Sequence, residues 1–275
     1  MALKREIAAA VAIPIVLAVL FLLPPIAFDF LVALVALAAL WEFYRLAERS
    51  GHPVAKTPGF LGAIAVLSVA TWLWSRPAAL GAGLPAAAVV EALLAVVFLA
   101  AVAPLFGGVE PVAALSGASS TVLGVLLIAL PASAMCSLRA FSPRAVLFLF
   151  LLVWACDSFA YYTGKNFGRR KLAPRVSPNK TWEGSIGGFV GAALVGAAAG
   201  AWWVLPELGP ARAALAAAVA STAGQIGDLV ESLWKRGAGV KDSGVFLPGH
   251  GGFYDRIDSL LFAAPVLVLF LPATS

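Results

Sequence analysis

Long apolar runs, broken by short polar stretches, dominate the chain and predict helices that cross a bilayer. A spanning helix needs about 20 apolar residues, with about 17 as a lower bound. Runs of that length fall at about 7–23, 26–48, 58–75, 85–106, 119–138, 143–163, 182–205, 210–235 and 254–272. Pro24-Pro25 separates the first two and predicts a tight helical hairpin, because proline ends one helix and can open the next. The second run continues into Trp41-Glu42-Phe43-Tyr44-Arg45, which suits an aromatic belt leading out to the headgroups. Glycines 187, 188, 191, 196 and 200 give the seventh run small residues at close helical spacing, the pattern of tight helix packing.

Composition narrows the class. The 275 residues are 61% hydrophobic and 12% charged, whereas a soluble domain carries roughly 25% charged residues. The expectation is an all-α polytopic membrane protein with about nine transmembrane helices. Lys4-Arg5 precedes the first run without a following cleavage site in polar context, so that run reads as a retained helix. With a cytoplasmic N-terminus, Arg76, Arg139, Arg144 and Arg212 lie outside and the other 15 of the 19 Lys and Arg residues lie inside. That is a strong positive-inside bias. The net charge of +5 is therefore topological and points to no nucleic acid. Cys136 and Cys156 sit in apolar runs and form no metal or redox spacing.

The polar chemistry gathers in the second half. Residues 1–140 read as transmembrane scaffold, with room for lipid access or a dimer surface; residues 141–275 read as the catalytic region. Glycine-rich surfaces permit a homodimer without requiring one. Charges inside a span are costly and functional by default. The sixth run carries Asp157. The eighth carries Gln225, Asp228 and Glu231, and the ninth opens with Asp255-Arg256-Ile257-Asp258. Under the topology above, Asp157 and Asp228 lie about one to two turns below the cytoplasmic surface. Asp255 and Asp258 share one face of the first turn of the ninth helix. Like charges at one depth repel unless a cation neutralises them. Hard oxygen ligands without a Cys or His cluster suit Mg²⁺; structural ion pairs with Arg256, Lys235 or Lys165 are the alternative.

Two loops on the same predicted face, 164–181 and 236–253, supply cations and glycine. In Ser177-Pro178-Asn179-Lys180-Thr181-Trp182-Glu183-Gly184 a turn opens a helix that Thr181 can cap, and a helix N-terminus beside a lysine suits an anion. The Gly249-His250-Gly251-Gly252 turn brings backbone N–H groups close to a phosphate, with His250 as a donor, an acid or simply a loop histidine. Neither loop has P-loop spacing. A divalent metal, cationic anchors and backbone donors at a bilayer surface point to phosphoryl or nucleotidyl transfer, where positioning and charge neutralisation carry most of the catalysis.

The pattern Ser232-x-x-Lys235-Arg236-x₄-Lys241-Asp242-x-Gly244-x-x-Leu247-Pro248-x-His250-Gly251-Gly252-x-x-Asp255-Arg256-x-Asp258 resembles the signature of phosphatidate cytidylyltransferases, also called CDP-diacylglycerol synthases. Asp157 with Tyr161-x-x-Gly164-Lys165-x-x-Gly168, the 177–184 stretch and Gln225-x-Gly227-Asp228-Leu229 look like further blocks of that family. The resemblance covers mainly residues 155–262. It implies transfer of CMP from CTP to phosphatidic acid, with Mg²⁺ and room for a second cation such as K⁺, at the cytoplasmic face of the inner cell membrane. Carried over to this chain, Asp228, Asp255, Lys180, Lys235 and Arg256 are the expected catalytic residues. Asp228, Asp255 and Asp258 are the expected metal ligands. Ser177, Asn179, Lys180, Lys165, Arg236, Lys241, Asp242, His250, Gly251 and Gly252 are the expected substrate contacts. An ether or isoprenoid phosphate is an alternative acceptor. An ion-coupled transporter is an alternative of another class, disfavoured because the carboxylates gather at one depth. The Asp-Gly…Ala-Arg spacing of CDP-alcohol phosphotransferases is absent.

Overall fold

A computed structural model of the chain describes residues 13–74, 84–106, 109–202, 204–244 and 251–272. Among these residues it is almost entirely helical. The α-helices are α1 (Ile13–Leu22), α2 (Pro25–Arg49), α3 (Lys56–Trp74), α4 (Leu84–Val102), α5 (Pro111–Phe141), α6 (Pro143–Phe167), α7 (Trp182–Ala201), α8 (Gly209–Gly237) and α9 (Tyr254–Val268). Among the described residues, six stretches are long and apolar enough to cross a membrane: Pro25–Arg49, Ala88–Leu105, Pro111–Phe141, Pro143–Phe167, Trp182–Ala201 and Pro206–Gly237. Large side chains stand exposed on them, including Phe30, Phe98, Leu115 and Leu194, as lipid-facing positions require. The protein is thus an all-α polytopic membrane protein.

Several boundaries follow from local chemistry. Pro25 occupies the first turn of α2, with Pro24 as its extended cap, so the helix break falls at the Pro-Pro pair as expected. Ser142 caps α6, its Oγ accepting from Arg144 N at 3.1 Å, and Pro143 opens the helix. The expected run 119–138 is part of a longer helix, α5, which continues through a π-turn at Val125–Ala129 where Leu130 N donates to Val125 O. One departure from an all-helical reading is a small antiparallel hairpin between α6 and α7, β1 (Lys171–Ala173) with β2 (Ser177–Thr181). Its residues are charged and lack the apolar alternation that marks strands. It forms because Thr181 pairs with Lys171 and Trp182 N donates to Arg170 O at 3.0 Å.

The chain divides into two compact units. The first comprises residues 1–140 with 237–256, the second 141–236 with 257–275. In the first unit the core collects Phe28, Leu40, Phe43, Tyr44 and Tyr254, all nearly inaccessible. Tyr44 Oη donates to Thr121 O at 2.9 Å, and Ala55 N donates to Thr121 Oγ1 at 3.0 Å, tying α2, the α2–α3 turn and α5 together. Phe43 meets Tyr254 edge to face, with ring centroids 6.2 Å apart. In the second unit α7 is the central packing element. A Cβ at Gly188 would meet Cys156 O and Sγ at 2.9 Å on α6, and one at Gly196 would meet Ala213 O at 2.7 Å on α8. The glycines of α7 therefore serve helix packing on two sides, as their spacing predicts.

Candidate active site

The second unit holds a cavity of about 400 Å³ whose lining includes Asp157, Lys165, Asn179, Lys180, Gln225 and Asp228. Five elements build it, β1 contributing Leu172. From α6 come Asp157 and Lys165; from β2, Asn179 and Lys180; from the start of α7, Gly184 and Ser185; and from α8, Gln225 and Asp228. The β2–α7 junction is fixed by Thr181, whose Oγ1 accepts from Gly184 N at 3.1 Å. The cap inferred from sequence is thus present. Glu183, in the first turn of α7, accepts from Arg169 N at 3.0 Å and from Arg170 N at 3.2 Å, which holds the turn entering the hairpin.

Lys180 Nζ lies 2.6 Å from Asp228 Oδ2, and both side chains are about one-third exposed. The residues that sequence reasoning placed on a loop and on an intramembrane helix therefore meet directly. Gln225, one turn before Asp228, is gripped by α6 and α7. Its Nε2 donates to Ser185 O and to Cys156 Sγ, both at 3.3 Å, and its Oε1 accepts from Ser185 Oγ at 2.5 Å. These bonds fix the rotation of α8 about its axis and so the direction in which Asp228 points.

Below Asp228, the carboxylates of Asp228, Glu231 and Asp258 bring one oxygen each to within 4.8 Å of one another. Two glycines make this possible. A Cβ at Gly227 would meet Asp258 O at 2.6 Å, and one at Gly224 would meet Ser259 O at 3.1 Å. Without side chains there, α9 approaches α8 closely enough to present Asp258. Glu231 is buried and ion-paired with Lys235 Nζ at 2.6 Å, one turn on. Ser232 Oγ donates to Asp228 Oδ1 at 3.4 Å. The stripe Gln225, Asp228, Glu231, Ser232 and Lys235 is one face of the last three turns of α8. Sequence reasoning noted Glu231 but left it out of the metal set; its three-residue step from Asp228 is the signal that would have included it.

All-oxygen donors in this array fit a small divalent cation. Oxygens bound to one Mg²⁺ at about 2.1 Å lie at most about 4.2 Å apart, so small side-chain adjustments close the trio on an ion. Asp157, Asp228, Glu231 and Asp258 count four formal negative charges against three positive ones from Lys165, Lys180 and Lys235, which leaves a net negative charge for a cation to offset.

The other expected site residues are distributed as follows. Ser177 opens β2. Arg236, at the end of α8, donates from Nε to Val176 O at 3.2 Å and so ties that helix to the hairpin. Lys241, Asp242, Gly251, Gly252, Asp255 and Arg256 belong to the first unit, where Lys241, Asp242 and Arg256 are exposed. His250 lies outside the described residues. In that unit Asp255 Oδ2 accepts from Ser243 N and Gly252 N, both at 2.8 Å, and lies 2.8 Å from Ser243 Oγ. Gly251 has φ +74° and its hypothetical Cβ would run into the Asp255 carboxylate. Only glycine tolerates that turn.

Comparison with known proteins adds a consistent set of relatives. The model of the cytidylyltransferase family matches residues 3–274. A phosphatidate cytidylyltransferase of Pseudomonas aeruginosa is 39% identical over 274 residues, covering 98% of this chain and 96% of the relative. One from Haemophilus influenzae is 36% identical over 296 aligned positions, covering 97% of each. One from Brucella abortus is 48% identical over 137 residues, about 47% of each chain.

Proposed function

The chain belongs to the cytidylyltransferase family, and from that premise we propose how its own residues carry the reaction. The enzyme is a phosphatidate cytidylyltransferase: it transfers CMP from CTP to phosphatidic acid, giving CDP-diacylglycerol and pyrophosphate. A phosphate oxygen of the lipid attacks the α-phosphorus of CTP in line. A new P–O bond forms to the lipid phosphate, and the bond to the bridging oxygen of the β-phosphate breaks. Phosphatidate is already ionised near neutral pH, so the nucleophile needs no strong general base, and no aspartate is assigned that role.

The observation that carries this reading is the Lys180–Asp228 pair, 2.6 Å apart in the cavity beside a carboxylate trio. An incoming triphosphate competes with Asp228 for Lys180, and a bound Mg²⁺ would replace that lysine as the counter-charge of Asp228. Lys165, Lys180 and Asn179 line the cavity and would hold phosphate oxygens together with Lys235, Arg236, Lys241 and Arg256. Asp228 and Asp258, with Glu231 beside them, would hold Mg²⁺, with Asp255 as a further ligand of the same family pattern. Bound there, the ion would neutralise the triphosphate and the charge developing on the leaving pyrophosphate. A second cation such as K⁺ belongs to the same proposal.

The proposed arrangement in the inner cell membrane is nine spans, N-terminus inside, with the site facing the cytoplasm. The orientation is supported by the 15-to-4 distribution of Lys and Arg, and the multi-pass character by six long apolar helices among the described residues. The test is an assay of purified protein with labelled CTP and phosphatidic acid, with and without Mg²⁺. Ether-lipid and isoprenoid phosphates serve as competing acceptors. Asp228→Ala and Asp255→Ala are each expected to abolish Mg²⁺-dependent incorporation in folded protein; retained activity in both sinks the site assignment. Preference for an isoprenoid phosphate would replace phosphatidic acid as substrate.

A further inference from the structure

Glu42 lies far from the signature in sequence, on α2, in the half of the chain that reads as scaffold. It is a carboxylate with only 7% of its surface exposed, followed by Phe43 and Tyr44, both in the core. Its oxygens are spent on the segment that leads into α9. Oε1 accepts from Phe253 N at 3.1 Å, and Oε2 accepts from Tyr254 N at 2.9 Å. These are N–H groups at the start of a helix, where donors lack intrahelical partners and negative charge is favoured. Ser243 Oγ lies 2.9 Å from Glu42 Oε2 and 2.8 Å from Asp255 Oδ2. One hydroxyl thus bridges the two carboxylates and can donate to only one of them at a time.

Two signature glycines are explained by the same carboxylate. A Cβ built at Gly244 or at Gly252 would collide first with the Glu42 carboxylate oxygens. Neither glycine has positive φ, so conformational freedom is not what demands glycine there. Room for Glu42 is.

We propose that Glu42 is a positioning residue for the cytidylyl transfer: it fixes the backbone at Phe253 and Tyr254 and, through Ser243, the carboxylate of Asp255. This rests on the assignment of Asp255 to the reaction. The α2 carboxylate thereby connects the N-terminal helices to the signature loop.

The test uses the full chain, purified in detergent, comparing wild type, Glu42→Gln, Glu42→Ala, Gly252→Ala and the Glu42→Ala/Gly252→Ala pair. Glutamine keeps the size of Glu42 but turns an NH₂ toward the N–H of Phe253 or of Tyr254. It is expected to melt with wild type and to lose about 10- to 100-fold in activity, in kcat rather than in KM for CTP. Gly252→Ala is expected to lower kcat on its own but to add little once Glu42 is alanine, because its collision partner is gone. Wild-type kcat in Glu42→Gln overturns the proposal. So does a loss that merely tracks the loss of folded protein, or an equal effect of Gly252→Ala on both backgrounds. A wild-type protein that turns over no CTP overturns the underlying reaction, and the proposal with it.

Discussion

Alanine at Gly227 tests whether the approach of α9 to α8 sets the site. The added Cβ would stand 2.6 Å from Asp258 O and 2.7 Å from the Phe262 ring. An ordinary carbon–oxygen contact is about 3.3 Å, so α9 must withdraw by about 0.7 Å. The obstacle is a backbone oxygen, which cannot swing aside like a side chain. Overpacking of this kind costs about 1–3 kcal/mol of stability. The more telling effect is on chemistry, because the displaced turn carries Asp258, and its carboxylate moves off Asp228 and Glu231. A shift near 1 Å can cost about 100-fold in rate, and a loss of about 10- to 100-fold in kcat is expected. Gly224→Ala is the internal control. Its Cβ meets Ser259 O at 3.1 Å, which asks for only about 0.2 Å of relief on the same contact distance, and its loss should be smaller. The assay is labelled CTP incorporation into lipid, beside thermal melting of the same preparations. Full activity in Gly227→Ala, or a larger loss in Gly224→Ala, refutes the reasoning.

Lys180→Met should keep the fold, since its partner Asp228 remains partly exposed, and should lower kcat by about 100-fold or more. Lys180→Arg should restore only part of it, because the guanidinium replaces a compact point charge with a planar fork. Lys235→Met removes the cation 2.6 Å from the buried Glu231 and, as removal of one member of a buried ion pair, should cost roughly 3–5 kcal/mol. Adding Glu231→Gln should recover most of that melting loss without recovering activity; melting curves of the two variants decide. Chelation of divalent cations should stop turnover, and Mg²⁺ should restore it; turnover in excess chelator would refute the metal assignment.

The helices were legible because burial in lipid leaves an unmistakable apolar run, and the Pro24-Pro25 break and the Thr181 cap are local signals. The meeting of Asp228 with Lys180 and Asp258 was legible too, since the polar residues stand out against apolar spans and the parity of the spans constrains their depth. The β1–β2 hairpin was not, because its residues are basic and polar and its pairing is set by the flanking helices. Glu42 was read as the polar edge of a belt. Its partners lie 201 to 212 residues away, a separation for which sequence periodicity carries no information. Applying to Glu42 the rule used for Asp157, that a carboxylate near a span needs a partner, would have raised the question without answering it.

The excursion of residues 237–256 into the first unit bears on any attempt to divide this enzyme. A cut at Ala140 would respect the boundary that hydropathy suggests and would separate the signature loop from Glu42. A fragment beginning at Phe141 would still contain Lys180, Asp228, Glu231 and Asp258, yet its Phe253 and Tyr254 N–H groups would have lost the acceptor they bond to. The practical unit for expression, truncation or chimera building is therefore the whole chain, and swapping N-terminal helices between relatives should succeed only where the position of Glu42 travels with them.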